Sequence, residues 1–318
     1  MVSKLLALEA YPALRDLDFR ILRGVELKMR HYKWVPLEEI ARFSRVDVET
    51  ASFRLGKLDD LSLVRRRSDM GYIGYQLTIH GYDVLAIRAL SKKGIIEAIS
   101  TAQIGVGKDA DVYAAMTPSG ERVAVKFNRI GGRTASRRAG YHSHVFADKR
   151  HTSWLYISRL IARKEYEALV LLSPIARVPR PIAWNRHVLV MEFIEGKELA
   201  ELRDHELGES EAREILDEVL DEYLKIVKFG IVHSDMSEFN IVLTGDGVLL
   251  IDWAQYIPTA HPESYELLKR DITVLLNAFR RRWGVKREFE EVWPAFEEAW
   301  SESRGEERKA QVEEVEGW

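Results

Sequence analysis

The chain has 318 residues, 46% hydrophobic and 31% charged, with a net charge of −3 and no cysteine. This is the composition of a soluble globular protein, long enough for two domains or one large domain with an appendage. The missing cysteine excludes disulfides, zinc–cysteine centres and thiol nucleophiles, and no stretch approaches the roughly 18 apolar residues of a membrane span. The N-terminal MVSKLLALEAYPALRDLDF has acids too early for a signal peptide, so a cytoplasmic protein with no membrane partner is expected. Lys and Arg gather in the first half, as in Arg65-Arg66-Arg67, and Glu in the last third. A mildly acidic chain can therefore still show a polyanion a basic face.

Residues 14–32 repeat apolar positions at helical spacing. After Trp34, VPLEEIARFSR reads as a short helix with Pro36 in its first turn. Asp47 then caps a second helix whose Val48, Ala51, Leu55 and Leu58 share a face. SLVRRR and GYIGYQLTI flank the turn SDMG as two short strands, and His80–Lys92 closes the segment as a helix. The order is that of a winged helix-turn-helix domain over 1–91, with Lys92-Lys93-Gly94 as linker.

Strands are expected at Ile99–Ile104, Asp111–Thr117 and Arg122–Asn128. Residues 129–151, rich in Gly, Arg, His and Ser, have no periodicity and read as a mobile functional loop. A helix follows over SWLYISRLIARKEYEALVLLS, then strands Ile182–Trp184 and His187–Glu192. Beyond these, helices are expected at 209–229, Tyr265–Trp283 and, more weakly, Phe289–Trp300.

Three stretches carry chemistry. In IGVGKDADVY, Gly105 and Gly107 lie on a strand–turn–strand, which excludes a Rossmann fingerprint, and Asp109 after Lys108 excludes a Walker loop. The glycines match the first two of a kinase glycine-rich loop, with Val112 as its valine, where bare backbone can approach phosphate oxygens. A glycine-bearing hairpin turn explains the stretch equally well. In RVAVKFNR, Lys126 is placed as a phosphate-gripping lysine or, as evenly, as a lysine snorkelling at a sheet edge. Its helical partner is expected to be Glu165, in line with Ile161 and Leu169, rather than Glu167. In VHSDMSEFN, Asp235 and Asn240 have the spacing of a kinase catalytic Asp and metal-binding Asn, and Asp252 follows a hydrophobic strand, where a kinase holds its main Mg²⁺ carboxylate. A turn-capping Asp and a solvated strand end are the bland alternatives. Four elements in this order make coincidence improbable. His233 reads as a structural hydrogen-bonder.

With these residues in place the chain resembles a RIO-family atypical serine/threonine kinase of the winged-helix type. The similarity runs through IGVGKDADVY, TSWLYISRLIARKEYEAL, VPRPIAWNRHVLVMEFIEG, GIVHSDMSEFNIV and IDWAQYIPTAHP. It implies an α+β protein: a winged helix followed by a compact two-lobed kinase-like RIO domain, with an N-lobe over 92–192 and a C-lobe over 193–318. By position, Lys126 and Glu165 would be the ion pair and Asp235 the catalytic Asp. Asn240 and Asp252 would be ligands of Mg²⁺ or Mn²⁺. Gly105, Val106, Gly107 and Lys108 would cover the phosphates of ATP, and Met191, Glu192 and Ile194 would lie in the adenine-holding hinge. Two positions depart from the family pattern: Ala110 stands where a phosphate-facing hydroxyl is usual, and Ser234 where Gly usually precedes the catalytic Asp.

The resemblance also implies a role in maturation of the small ribosomal subunit, with precursor subunit and rRNA as partners. Serine phosphorylation and phosphorylation of Asp252 itself are both implied chemistries, and Ser136 and Ser143 are candidate self-phosphorylation sites. Loop 129–151 and the winged helix, through Arg54, Lys57 and the basic hairpin strand, are the candidate RNA contacts. Two other readings stay open: an aminoglycoside-type small-molecule kinase, and a nucleic-acid scaffold that binds ATP without turnover.

Overall fold

The computed structural model describes residues 6–106, 110–128 and 154–305. These form two compact units. One holds the described residues up to Arg163 together with Ile182–Val190; the other holds Lys164–Pro181 and the described residues from Met191 on. Loop 129–151, with Arg133, Arg137, Arg138, Lys149, Arg150, Ser136 and Ser143, lies outside the described residues, as do Gly107 and Lys108. No helix among the described residues is long and apolar enough to cross a membrane.

The first unit begins with α1 (Leu6–Ala10), α2 (Asp16–Lys28), β1 (Val35–Pro36), α3 (Leu37–Ser44) and α4 (Val48–Asp60). The wing strands β2 (Val64–Arg67) and β3 (Gly74–Leu77) and helix α5 (Ile79–Lys92) complete the winged helix. The Asp47 carboxylate accepts the Thr50 N–H at 2.6 Å, so α4 starts where its capping residue requires. Pro36 differs from expectation. It stands before α3 rather than in its first turn, and pairs with Gly74 as part of a third wing strand. Gly81 is needed in α5, because a Cβ there would meet the Leu63 carbonyl oxygen at 2.1 Å. Lys92-Lys93-Gly94 is a capped helix end: Lys93 N–H bonds Ala89 O, and Gly94 takes φ 67°.

The same unit carries most of a five-stranded sheet of β4 (Ala98–Val106), β5 (Ala110–Met116), β6 (Arg122–Asn128), β7 (Pro181–Asn185) and β8 (Val188–Glu192), in the order β4-β5-β6-β8-β7, with Pro181, Met191 and Glu192 counted in the second unit. Winged helix and sheet share one hydrophobic core, in which Ile21, Leu22, Leu55, Val84 and Ile87 join Tyr113, Val123, Val125 and Phe127. The β7–β8 turn reinforces this junction. Arg186 donates Nε and Nη2 to the Glu26 carboxylate at 2.9 and 2.8 Å and Nη1 to Leu85 O at 3.2 Å. His187 Nε2 lies 2.7 Å from the buried Asp83 carboxylate, and Tyr82 stacks on the His187 ring at 4.7 Å. Helix α6 (Trp154–Leu172) begins in this unit, and its residues from Lys164 on belong to the second.

The second unit contains β9 (Gly196–Glu198), α7 (Glu209–Phe229), β10 (Ile231–Val232), β11 (Ile241–Thr244), β12 (Gly247–Leu250), β13 (Ile257–Pro258), α8 (Ser264–Trp283) and α9 (Phe289–Gly305). Its core packs Val219, Tyr223 and Ile226 of α7 with Leu268, Ile272, Leu275 and Phe279 of α8 and Phe296 of α9. These are the apolar stripes that the helical periodicity of both segments announces. Two small sheets, β12-β11-β9 and β10-β13, lie beside the helices.

Candidate active site

In the first unit, β6 is flanked by β5 and β8, so Lys126 is on an interior strand and 6% exposed. That removes the reading of a lysine snorkelling at an edge, since an interior strand offers no rim from which to reach water. A buried ammonium needs anionic or polar partners. Lys126 is in register with Val112, and Gly105 also pairs with Val112. Gly105 lies inside a strand rather than in a turn. A Cβ there would sit 3.6 Å from Val112 Cβ, an ordinary contact. Nothing among the described residues therefore demands glycine at 105, which leaves bare backbone available for close approach by a ligand. Val106 continues the pairing, opposite Asp111.

In the second unit, Glu165 is 2% exposed, as expected for the apolar stripe of α6, whereas Glu167 is half-buried. Met191, Glu192 and Ile194 are all half-buried. The Glu192 N–H is committed to Arg180 O at 2.9 Å, and its carboxylate accepts from the Arg180 N–H at 2.8 Å. Its main-chain donor is thus not available to a ligand, which narrows the expected hinge contacts to the other backbone groups of the stretch.

The decisive geometry lies farther along the same unit. β10 pairs with β13 and β11 pairs with β12. The segment 233–240 leaves β10 and enters β11, while 251–256 leaves β12 and enters β13, so both loops are anchored at each end and run side by side. Cross-links join them. Ile251 N–H donates to Asn240 O at 3.0 Å. The His233 ring packs on Trp253 at 4.5 Å, with Nε2 3.0 Å from Ile251 O. A carbonyl oxygen only accepts, so Nε2 carries the proton; fully buried, His233 is a strut, as the sequence suggests. Within the first loop, Asn240 Nδ2 donates to Asp235 O at 2.8 Å. Asp235 is exposed between buried Val232, His233 and Met236. Asp252 takes the left-handed conformation at φ 64°, which for a non-glycine residue is strain of about 1–3 kcal/mol found mostly at functional sites.

A family model described as RIO domain matches residues 111–292, and one described as Rio2, N-terminal matches residues 11–93. The chain belongs to the RIO family of atypical protein kinases. It is 39% identical over 266 residues to the RIO-type serine/threonine-protein kinase Rio2 of Methanocaldococcus jannaschii, covering 83% of this chain and 96% of that one. It is 32% identical to the serine/threonine-protein kinase RIO2 of Caenorhabditis elegans, covering 88% of this chain but only 52% of the nematode protein. Among solved structures, the Rio2 kinase–ADP/Mg²⁺–phosphoaspartate complex of Chaetomium thermophilum shares the fold, with TM-score 0.76 and 24% identity over 94% of this chain and 89% of that one.

This RIO kinase holds the loop that carries Asp235 through residues that the motif spacing does not reveal. Asp271, buried in α8, accepts from the N–H of Ser234 at 2.8 Å and of Met236 at 3.3 Å, and from the Tyr223 hydroxyl at 2.8 Å. The same hydroxyl accepts the His233 N–H at 3.2 Å. Burial raises the Asp271 carboxyl above its ordinary value, against the opposing influence of His233, Tyr223 and Arg270. A clue exists in the sequence: Asp271 stands on the apolar face of α8 with Leu267, Leu268, Ile272 and Leu275, where a carboxylate is out of place unless bonded. The Glu198 carboxyl is raised by burial and by the nearby charges of Glu201 and Asp252.

In the winged helix, Arg54 differs from expectation. It is turned onto Asp18, with Nε 2.7 Å from Oδ1 and Nη2 on Oδ2. At 12% side-chain exposure it is a structural ion pair rather than an outward phosphate contact. Arg65 and Arg66 remain exposed, and Lys57 lies over the exposed Phe53 ring at 4.4 Å.

Proposed function

We propose that this RIO kinase transfers the γ-phosphoryl group of ATP, with a divalent metal, in maturation of the small ribosomal subunit. The observation that carries the catalytic part is the pairing of β10 with β13 and β11 with β12, which holds the Asp235 and Asp252 loops against each other. Asp235, exposed on a braced loop, orients and deprotonates the attacking oxygen. Lys126 and the backbone around Gly105 hold the phosphates. The Asn240 amide nitrogen is occupied by Asp235 O, so its side-chain oxygen is the atom left to face a metal. With the Asp252 carboxylate it supplies two hard oxygen donors, the chemistry that suits Mg²⁺ or Mn²⁺. A metal bound there would neutralise charge on the phosphate oxygens.

The acceptor is a serine or threonine hydroxyl, the class named for the relatives, or Asp252 itself on the way to water. The phosphoaspartate in the Chaetomium thermophilum complex supports the second chemistry. The small-molecule kinase alternative loses its ground, because the Rio2 N-terminal match has no place in it. For RNA contact, Lys57, Arg65 and Arg66 are the winged-helix residues whose exposure supports the reading, with Arg54 withdrawn from the set.

The test is incubation with labelled ATP and Mg²⁺, with and without small ribosomal subunits, following phosphate release and protein labelling. Label lost to hydroxylamine identifies an acyl phosphate, and label that survives it identifies a hydroxyl acceptor. An Asp235→Ala protein that hydrolyses and labels like wild type overturns the assignment.

A further inference from the structure

Ser234 precedes the catalytic aspartate with φ 64°, a conformation that glycine adopts freely and serine only with strain. Its main chain is held from below: the N–H donates to Asp271 and the carbonyl accepts from the Arg270 guanidinium. With the backbone so fixed, the side chain reaches across to the second loop, and Oγ donates to Gln255 O at 2.7 Å. His233 and Asn240 grip that second loop at Ile251, its first residue. Ser234 grips it at Gln255, three residues beyond Asp252. The strained turn that carries Asp252 is therefore held on both sides from the catalytic loop.

We propose that Ser234 is a positioning residue, whose hydroxyl bond to the Gln255 carbonyl sets where the Asp252 carboxylate stands relative to Asp235 and so tunes metal affinity. The inference rests on the kinase reading only in naming Asp252 as the metal ligand. It accounts for a serine where the backbone asks for glycine, since a glycine would satisfy φ but leave the Gln255 end of the turn untied.

Two variants separate bond from strain. Ser234→Ala keeps the strained Cβ and removes the donor; Ser234→Gly removes both and relieves the backbone, so it is expected to fold. Mn²⁺ affinity would be measured by electron paramagnetic resonance with the full chain and a non-hydrolysable ATP analogue. Analogue affinity without metal, and hydrogen exchange of residues 252–256, would be followed alongside. Both variants should bind Mn²⁺ about 3- to 10-fold more weakly, the worth of one hydrogen bond. Metal-free nucleotide affinity should be unchanged, and exchange at 252–256 should be faster. Wild-type Mn²⁺ affinity and exchange in both variants would overturn the proposal, as would weakening in Ser234→Ala that Ser234→Gly restores, since the bond would then serve only to offset the backbone strain. Failure of the wild type to turn over ATP would count against the kinase reading and leave these readouts to judge Ser234.

Discussion

Asn240 donates its side-chain amide to the main-chain carbonyl of Asp235 at 2.8 Å, so the residue proposed to face the metal also closes the loop that presents the proposed base. Asn240→Asp turns that donor into an acceptor facing a carbonyl, and should damage loop and metal site together. Asp235→Asn keeps the loop and removes only the base. We expect Asp235→Asn to lower turnover by about 10²–10⁴-fold with nucleotide binding retained. Asn240→Asp should lower turnover and also speed hydrogen exchange across 233–240. Equal exchange in the two variants would show that Asn240 has no structural share.

Asp271 gathers the Ser234 and Met236 N–H groups, the Tyr223 hydroxyl and the Arg270 guanidinium beneath that loop. Tyr223→Phe removes one of them and should cost about 1–2 kcal/mol in urea unfolding. Asp271→Ala strands two buried main-chain N–H groups and should cost more, with turnover falling beyond what the stability loss explains. An Asp271→Ala protein with wild-type turnover would mean that the loop holds its shape without it.

The pairing of Arg186 with Glu26 makes a pH prediction. Burial pushes the Glu26 carboxyl up, but the hydrogen-bonded Arg186 and nearby Arg23 outweigh it and leave the group below its ordinary value. A depressed carboxylate stabilises the fold above its unfolded pKa of 4.5, and that stability is lost as pH falls through the folded value. Glu26→Gln should therefore destabilise the winged-helix unit at pH 7, by about 3–5 kcal/mol because Arg186 stays buried and charged. Its stability should also fall less steeply than wild type below about pH 4.5. Parallel acid limbs in thermal melts would refute the linkage.

Arg54 and Arg66 should behave oppositely. Arg54→Ala leaves Asp18 buried without its guanidinium and should lower stability by about 3–5 kcal/mol, while the salt dependence of RNA binding by the folded protein stays unchanged. Arg65→Ala and Arg66→Ala should barely affect stability, and each should reduce the salt slope by about 1 if the wing meets phosphates. A reduced slope in folded Arg54→Ala would return that residue to the RNA-facing set.

Local rules read the secondary structure well. Residues 122–128 and 209–229 form the expected strand and helix, because strand alternation and helical stripes are written in single segments. Helical spacing likewise puts Glu165 on the apolar stripe, and it is buried there. The short pieces β1, β9 and β13 leave no mark in the sequence. Two or three residues carry no period, and their pairing depends on partners far along the chain. Arg54 was misplaced for a related reason: helical spacing says which face a residue occupies, but not that Asp18, 36 positions earlier, will claim it.

The sequence by itself determined the order of the chemistry: a glycine-bearing strand, a lysine, a helical glutamate, an Asp–Asn pair and a following Asp. Spacing along one chain is enough to show that. Only the tertiary structure decided that Lys126 is interior rather than at an edge. It also showed that Asp271 and Tyr223 hold the loop of Asp235, and that Ser234 ties this loop to the one bearing Asp252. These facts depend on which distant segments share a hydrogen bond, and no local period of 2 or 3.6 encodes that.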